Sequence, residues 1–373
     1  MRIISLLLVF IGLVMVTCID PLDISIPLPA TFPLAIDGYI SDNPGPYEVR
    51  LNLSFDVQSS LVFKSTFSAQ RVTMFDNVGN SEVLTQVAPG VYRTGTKANS
   101  MRGILGRAYH IKVELLDGRV YESVPDTLMR PGKVDSVYYT YHTTVTEDGR
   151  MQQGLDILFD SSPEQGSNFR FMWKFRGTFQ IETNPELYDT ICADGRCPKP
   201  LQCSGWRLDD SSRMRKVRSC TCCQCWATMV NPDLVLSENQ FVNGGRFKGI
   251  KVGYMPVDEF TFMHKVHAEV QQLSLSDRAF RFWKAVNDQR KGTGSLFQPI
   301  TGKVQGNFVQ TAGNPAAIEG LFYAASISKH ALFIDRLDLE KYVILTQPDL
   351  PYKNSCLKKY GNSSTTKPEY WVD

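Results

Sequence analysis

Histidine is scarce in this sequence: His110, His142, His264, His267 and His330 are the whole supply in 373 residues. That leaves little for general acid–base work, and no pair has H-E-x-x-H spacing. There is no G-x-S-x-G elbow, no phosphate-cradling G-x-x-x-x-G-K-[ST] loop and no G-x-G-x-x-G turn, which removes the common hydrolase, triphosphatase and dinucleotide-binding motifs. One-sided charge is missing as well. Forty Lys and Arg against 38 Asp and Glu leave a net charge of +2. No stripe interleaves basic and aromatic residues, so nucleic acid is not an expected partner. The apolar run Ile3–Val16 falls short of the roughly 20 residues that a spanning helix wants.

That run has the length of a signal-peptide h-region, behind Arg2 as a short positive n-region. It ends in Thr17-Cys18 and passes at once into the polar, Pro-rich "IDPLDISIPLP". A cysteine directly after an h-region is where a bacterial lipoprotein is cleaved and acylated, although Met15-Val16-Thr17 is a degenerate lipobox. The expectation is a signal peptide over 1–17, Cys18 as the lipidated first residue, and a tether over 18–32. Two or more acyl chains would hold the protein on a membrane without a spanning helix.

Export sets the redox compartment. Setting Cys18 aside, eight of the nine cysteines remain: Cys192, Cys197, Cys203, Cys220, Cys222, Cys223, Cys225 and Cys356. An even number in an oxidising setting is expected to form disulfides. Zinc and redox-active thiols are the alternatives, because Cys220/Cys223 and Cys222/Cys225 each have C-x-x-C spacing. The two pairs interleave, however, and no histidine lies nearby, so no metal site is expected. Spacing leaves the connectivity open, with adjacent Cys222 and Cys223 expected to take different partners. The segment between these cysteines is rich in Gly, Pro, Ser and charge. It cannot build a core, and cross-links would substitute for one. Arg213, Arg215, Lys216 and Arg218 cluster there as a candidate partner-binding loop for an anionic face.

Elsewhere the pattern is mostly β. Alternating runs flank turn residues at Asn43–Pro46, Asn77–Asn80, Pro89-Gly90 and Asp117-Gly118. Some seven short strands over 33–131 predict an immunoglobulin-like or transthyretin-like sandwich. A second β-rich domain is expected over 132–356, with a Cys-rich insertion at 192–225, followed by a C-terminal tail at 357–373. "FTFMHKVHAEVQQLS" reads as a strand, which puts His264 and His267 on opposite faces. One amphipathic helix is expected after Ser276, a suitable N-cap, with Ala279, Phe282, Trp283 and Val286 facing the sheet and a stop at Lys291-Gly292. The carboxylate pairs Asp209-Asp210 and Asp258-Glu259 read as solvated charges.

The stretches "CIDPLDISIP" and "LAIDGYISDNPGPYEVRLNLS" resemble the start of a Bacteroidota lipoprotein family catalogued as domain of unknown function 4249. "CWATM", "VQQLSLSDRAFRFWKAVNDQRKGTGSLFQPITGKVQGNF", Cys356 and "KPEYW" continue the resemblance in order across nearly the whole mature chain. The long Cys-rich insertion before Cys225 and the loose lipobox depart from the family pattern. The resemblance implies an outer-membrane lipoprotein, often encoded beside TonB-dependent receptors, and carries no catalytic residues or cofactor. Asp20 and Asp23 faintly echo the acidic export tag of surface lipoproteins. The expected function is non-enzymatic: a binding or accessory subunit of a TonB-dependent transporter or envelope assembly complex. A structural or adhesive surface protein and a cryptic hydrolase are the other readings.

Overall fold

The computed structural model describes residues 33–53, 67–145, 149, 151–163, 169–237, 242–243, 246–292, 304–339 and 351–372. The signal peptide and tether, Cys18 included, lie outside the described residues.

Strict alternation builds the first sandwich. In Ala108–Leu115 the residues Tyr109, Ile111, Val113 and Leu115 are buried while their neighbours are half-exposed, as a strand with one covered face requires. This strand turns at Asp117-Gly118 into Val120–Ser123. Gly118 sits at φ +84°, and the Asp117 carboxylate accepts from the Arg119 N–H at 3.1 Å. A six-stranded sheet runs in the order Phe308–Ala312, Val120–Ser123, Ala108–Leu115, Ala69–Asp76, Ser81–Val83, with Asp126–Thr127 paired to Ala108–Leu115. Its buried face shares a core with Ile36, Ile40, Val49, Leu51 and Phe322, which belong to a ten-stranded sheet.

In the second sandwich, Gly132–Val145, Met151–Pro163, Arg246–Pro256 and Val242–Asn243 form a four-stranded antiparallel sheet. It packs against Phe171–Glu182 and Lys265–Ser274 of the ten-stranded sheet around Leu155, Ile157, Phe159, Trp173, Phe247 and Val270. Trp173 is 1 % exposed, with Phe159 and Phe247 rings each 5.0 Å away. Its indole N–H donates to Gln272 Oε1 at 2.6 Å, giving the buried polar edge a partner.

One strand joins the two sandwiches. Ile318–Asp335 runs 18 residues, about 60 Å at 3.3 Å per residue. Its first part, Ile318–Ala325, pairs in parallel with Leu34–Ser41; Ser326–Asp335 pairs antiparallel with Lys265–Ser274. The ten-stranded sheet therefore crosses the boundary placed at residue 131, and Pro33–Asp373 forms one compact unit.

The central part of this strand is buried on both sides. Phe322 and Ala324 enter the first core, while Leu321, Tyr323 and Ala325 face the helix Asp277–Gly292. Ser276 caps that helix: its Oγ accepts from the Ala279 N–H at 3.1 Å and donates to Asp126 Oδ1 at 2.5 Å. The most buried apolar helix residues are Ala279 and Phe280, in the first turn fixed by this cap. Phe282 and Trp283 are half-buried against the same cluster, the Trp283 ring 6.1 Å from Tyr323. The helix thus covers the sheet through Ala279, Phe282 and Trp283 as expected, with Phe280 added to its covered face, while Val286 is half-buried outside this cluster. A second helical segment, Arg336–Leu339, follows the long strand.

Two local expectations change. The strand expected over "FTFMHKVHAEVQQLS" begins only at Lys265. Asp258 Oδ1 accepts from the Phe260 and Thr261 N–H groups at 2.9 and 2.7 Å, holding the preceding residues in a turn. The Cys-rich segment, read as a loop, contains two short hairpins, Asp189–Cys192 with Gly195–Pro198 and Trp206–Leu208 with Met214–Lys216.

Candidate functional site

All eight described cysteines are paired: Cys192–Cys197, Cys203–Cys222, Cys220–Cys223 and Cys225–Cys356. Adjacent Cys222 and Cys223 take different partners. The first bridge closes the first hairpin across its own strands. Cys203–Cys222 ties the turn before the second hairpin back to the chain that leaves it, beside a Thr221 N–H to Cys203 O bond of 2.8 Å. Cys225–Cys356 anchors the module to the sandwich, where both residues are fully buried. The Cys356 N–H donates to Cys222 O at 3.0 Å, and Trp226 meets Trp371 edge to face at 6.4 Å.

Between the hairpins, Gly205 sits at φ +77° and ends a 3-10 turn. A Cβ there would stand 2.2 Å from Arg218 O, so only glycine fits this close passage. The Val217 and Arg218 N–H groups both donate to Gly205 O, at 2.8 and 3.2 Å, which seats the base of the second hairpin. At its tip, Asp209 Oδ1 accepts from the Ser211 and Arg213 N–H groups, each at 2.9 Å. Asp209 is thus a turn-forming residue, and its other oxygen lies 3.0 Å from Arg215 Nε and 3.5 Å from Arg213 Nε.

The four predicted binding residues lie close together in the chain, but their charges are not equally free. Arg213 and Arg215 share Asp209, and Arg218 donates to Gln202 O at 2.5 Å. All four are exposed. Residues 189 to 218 hold seven Lys and Arg against four Asp, a net of +3 in a chain whose total is +2. Exposed apolar side chains accompany the cations: Ile191 is 86 % and Val217 57 % exposed. A hollow of about 350 Å³ is lined by Leu187, Asp189, Arg196, Met214 and Lys353, among others.

The histidines do not converge. His264 lies in the turn before its strand, Nε2 3.1 Å from Glu182 Oε1. His267 is buried between Phe333 and Tyr370, ring centroids 4.9 and 4.3 Å away. Burial holds its imidazole below the usual histidine range, opposed by Glu269 and reinforced by Arg176. Among the described residues, no three His, Cys, Asp or Glu are grouped to hold a metal ion, and no helix is long and apolar enough to cross a membrane.

One polar cluster was not anticipated from sequence. On the outer face of the four-stranded sheet, Asp156 lies 2.5 Å from Lys251 Nζ and 3.3 Å from His142 Nδ1. The alternation in "VYYTYHTTV" places Tyr138, Thr140 and His142 on one face, and that was the available signal. Which carboxylate faced them required the pairing of Thr140 with Asp156 and of Asp156 with Tyr254.

No curated protein matches this chain. The family described as Domain of unknown function (DUF4249) matches residues 19–331, and the chain belongs to that family.

Proposed function

We propose that the protein is an exported lipoprotein, held on the outer membrane through acylated Cys18, that works by binding rather than by turnover. Its role is that of an accessory subunit to a TonB-dependent transporter or envelope assembly complex, and the hairpin module is the part that meets the partner. One observation carries this reading: Arg213, Arg215, Lys216 and Arg218 all stand exposed, with Val217 among them, on a frame locked by four disulfides. Loops on rigid β scaffolds carry recognition more often than cores do. Cross-linking reduces the side-chain and loop ordering that association would otherwise cost. The net +3 of the module suits an acidic partner face, and exposed charge of this kind is screened by salt.

The test is retrieval of partners by the tagged full-length protein from solubilised outer membranes. A variant in which residues 207–218 become a neutral Gly/Ser stretch, all cysteines kept, is compared with the wild type. The wild type is expected to retrieve an integral outer-membrane protein, less of it as salt is added. The variant should melt normally and retrieve markedly less. A normally melting variant that retrieves its partner at full yield removes the module from the interface.

A further inference from the structure

We propose that the Cys220–Cys223 disulfide is a thiol-exchange site, opened by an exported dithiol protein and re-formed by the reverse exchange with that protein's disulfide form, while the other three bridges stay oxidised. Three features set this bridge apart. It closes a separation of only three residues, against five for Cys192–Cys197, 19 for Cys203–Cys222 and 131 for Cys225–Cys356. Opening so small a ring releases little chain, because the constraint grows with loop length. It is also reachable: Cys222, Cys225 and Cys356 are 2 %, 0 % and 0 % exposed, whereas Cys220 and Cys223 are half-buried. Both line a surface hollow of about 430 Å³ with Glu182, Thr221, Gln224 and Trp226, which leaves room for an incoming thiolate.

The third feature is the direction of exchange. The backbone N–H of Cys222 points at Cys220 Sγ, 3.5 Å away, and a hydrogen bond there stabilises the sulfur that departs as thiolate. The incoming thiolate therefore attacks Cys223 Sγ. Glu182 borders the same hollow, with its carboxylate 3.1 Å from His264 Nε2, and this pair can take up the proton of the attacking thiol. Attack forms a mixed disulfide at Cys223 and releases Cys220 as thiolate. The second thiol of the partner, on losing its proton, attacks the partner's own sulfur in the mixed disulfide and frees Cys223. The proton held by the Glu182–His264 pair passes to the Cys220 thiolate and that of the second thiol to Cys223, so two electrons and two protons go from the dithiol to the cysteine pair and the partner leaves as a disulfide. Cys192–Cys197 is the nearest competitor, also half-buried. It spans paired strands, Thr190 opposite Cys197 and Cys192 opposite Gly195, that keep its sulfurs together when opened.

The experiment exposes the full-length oxidised protein to graded dithiothreitol, traps free thiols by alkylation and locates them by peptide mass spectrometry. Cys220 and Cys223 are expected to become alkylated first, at least about tenfold faster than the other six, with an unchanged far-ultraviolet circular dichroism spectrum. Any other pair opening first, or all four bridges opening together as the spectrum is lost, overturns the proposal. The double variant Cys220→Ser, Cys223→Ser should lack the fast phase. A fast phase that persists in it assigns the exchange to another bridge and likewise overturns the proposal. The wild-type labelling order decides the question even where that variant does not fold.

Discussion

Replacing Cys225 and Cys356 together by alanine probes the frame on which the hairpin module stands. The bridge closes a separation of 131 residues. In the chain-entropy treatment a loop of that size restricts the denatured chain by about 17 cal/mol/K, or about 5 kcal/mol at 25 °C. The same arithmetic gives about 3 kcal/mol for Cys203–Cys222 and under about 2 kcal/mol for Cys220–Cys223. Both half-cystines of the long bridge are fully buried in the second core, so alanine also leaves a small void there. Measured losses tend to fall below the loop-closure figure, and the expected cost is about 3–5 kcal/mol. Against a typical total of about 5–15 kcal/mol the variant would remain folded but marginal. The assay is equilibrium urea unfolding of the oxidised protein, read by tryptophan fluorescence and circular dichroism, with the Cys220→Ala, Cys223→Ala variant as internal reference. A loss under about 1 kcal/mol, or one no larger than the reference shows, would refute the reasoning. The C-terminal segment would then be held by its non-covalent contacts, among them Trp226 with Trp371, Tyr370 with His267 and the strand pairing.

Trp283→Ala should cost about 2 kcal/mol, roughly half the loss for a fully buried aromatic, because the ring is half-buried against Tyr323; a thermal melt that does not move would show that the helix does not rely on it. His267 is held neutral by burial, its folded pKa below the ordinary histidine value of 6.5. The unfolded chain takes up the proton first, so this contribution to stability is present above about pH 6.5 and is lost as pH falls toward the folded pKa. His267→Gln should narrow the difference between urea midpoints at about pH 7.5 and about pH 5; an unchanged difference places the titration elsewhere, His110 being the next candidate since burial lowers it too. Cys18→Ala should release the protein from the membrane fraction or leave it unprocessed, and a processed form that stays membrane-bound argues against lipidation.

Much of the architecture was readable because it is written locally. The turns at Asn77–Asn80, Pro89-Gly90 and Asp117-Gly118 each lie between strands that pair antiparallel. Ser276 caps the helix through a bond to the third residue beyond it. The start of the strand near His264 was misplaced because Asp258 overrides the alternation there with two backbone bonds. In the module, the basic residues were recognisable by type. That Asp209 answers two of them was not, since the tip of the hairpin brings the carboxylate back over Arg213 and Arg215.

By itself the sequence determined the β class, the two apolar groups of strands, the capped helix and the even set of cysteines. Each of these rests on residues within a few positions of one another, where periodicity, turn chemistry and capping act directly. The remainder depended on pairings between distant parts of the chain. Leu34–Ser41 lies beside Ile318–Ala325, some 284 positions away, and a parallel pairing has no turn between its strands to announce it. Which cysteines bond depends on which half-cystines the finished sheets bring to about 6 Å between Cα atoms. Cys356 meets Cys225 where the C-terminal segment packs along the strand Gln224–Val230. The contacts that join the two sandwiches, and those that lock the module to them, are long-range, and their energies exist only once the intervening chain has folded.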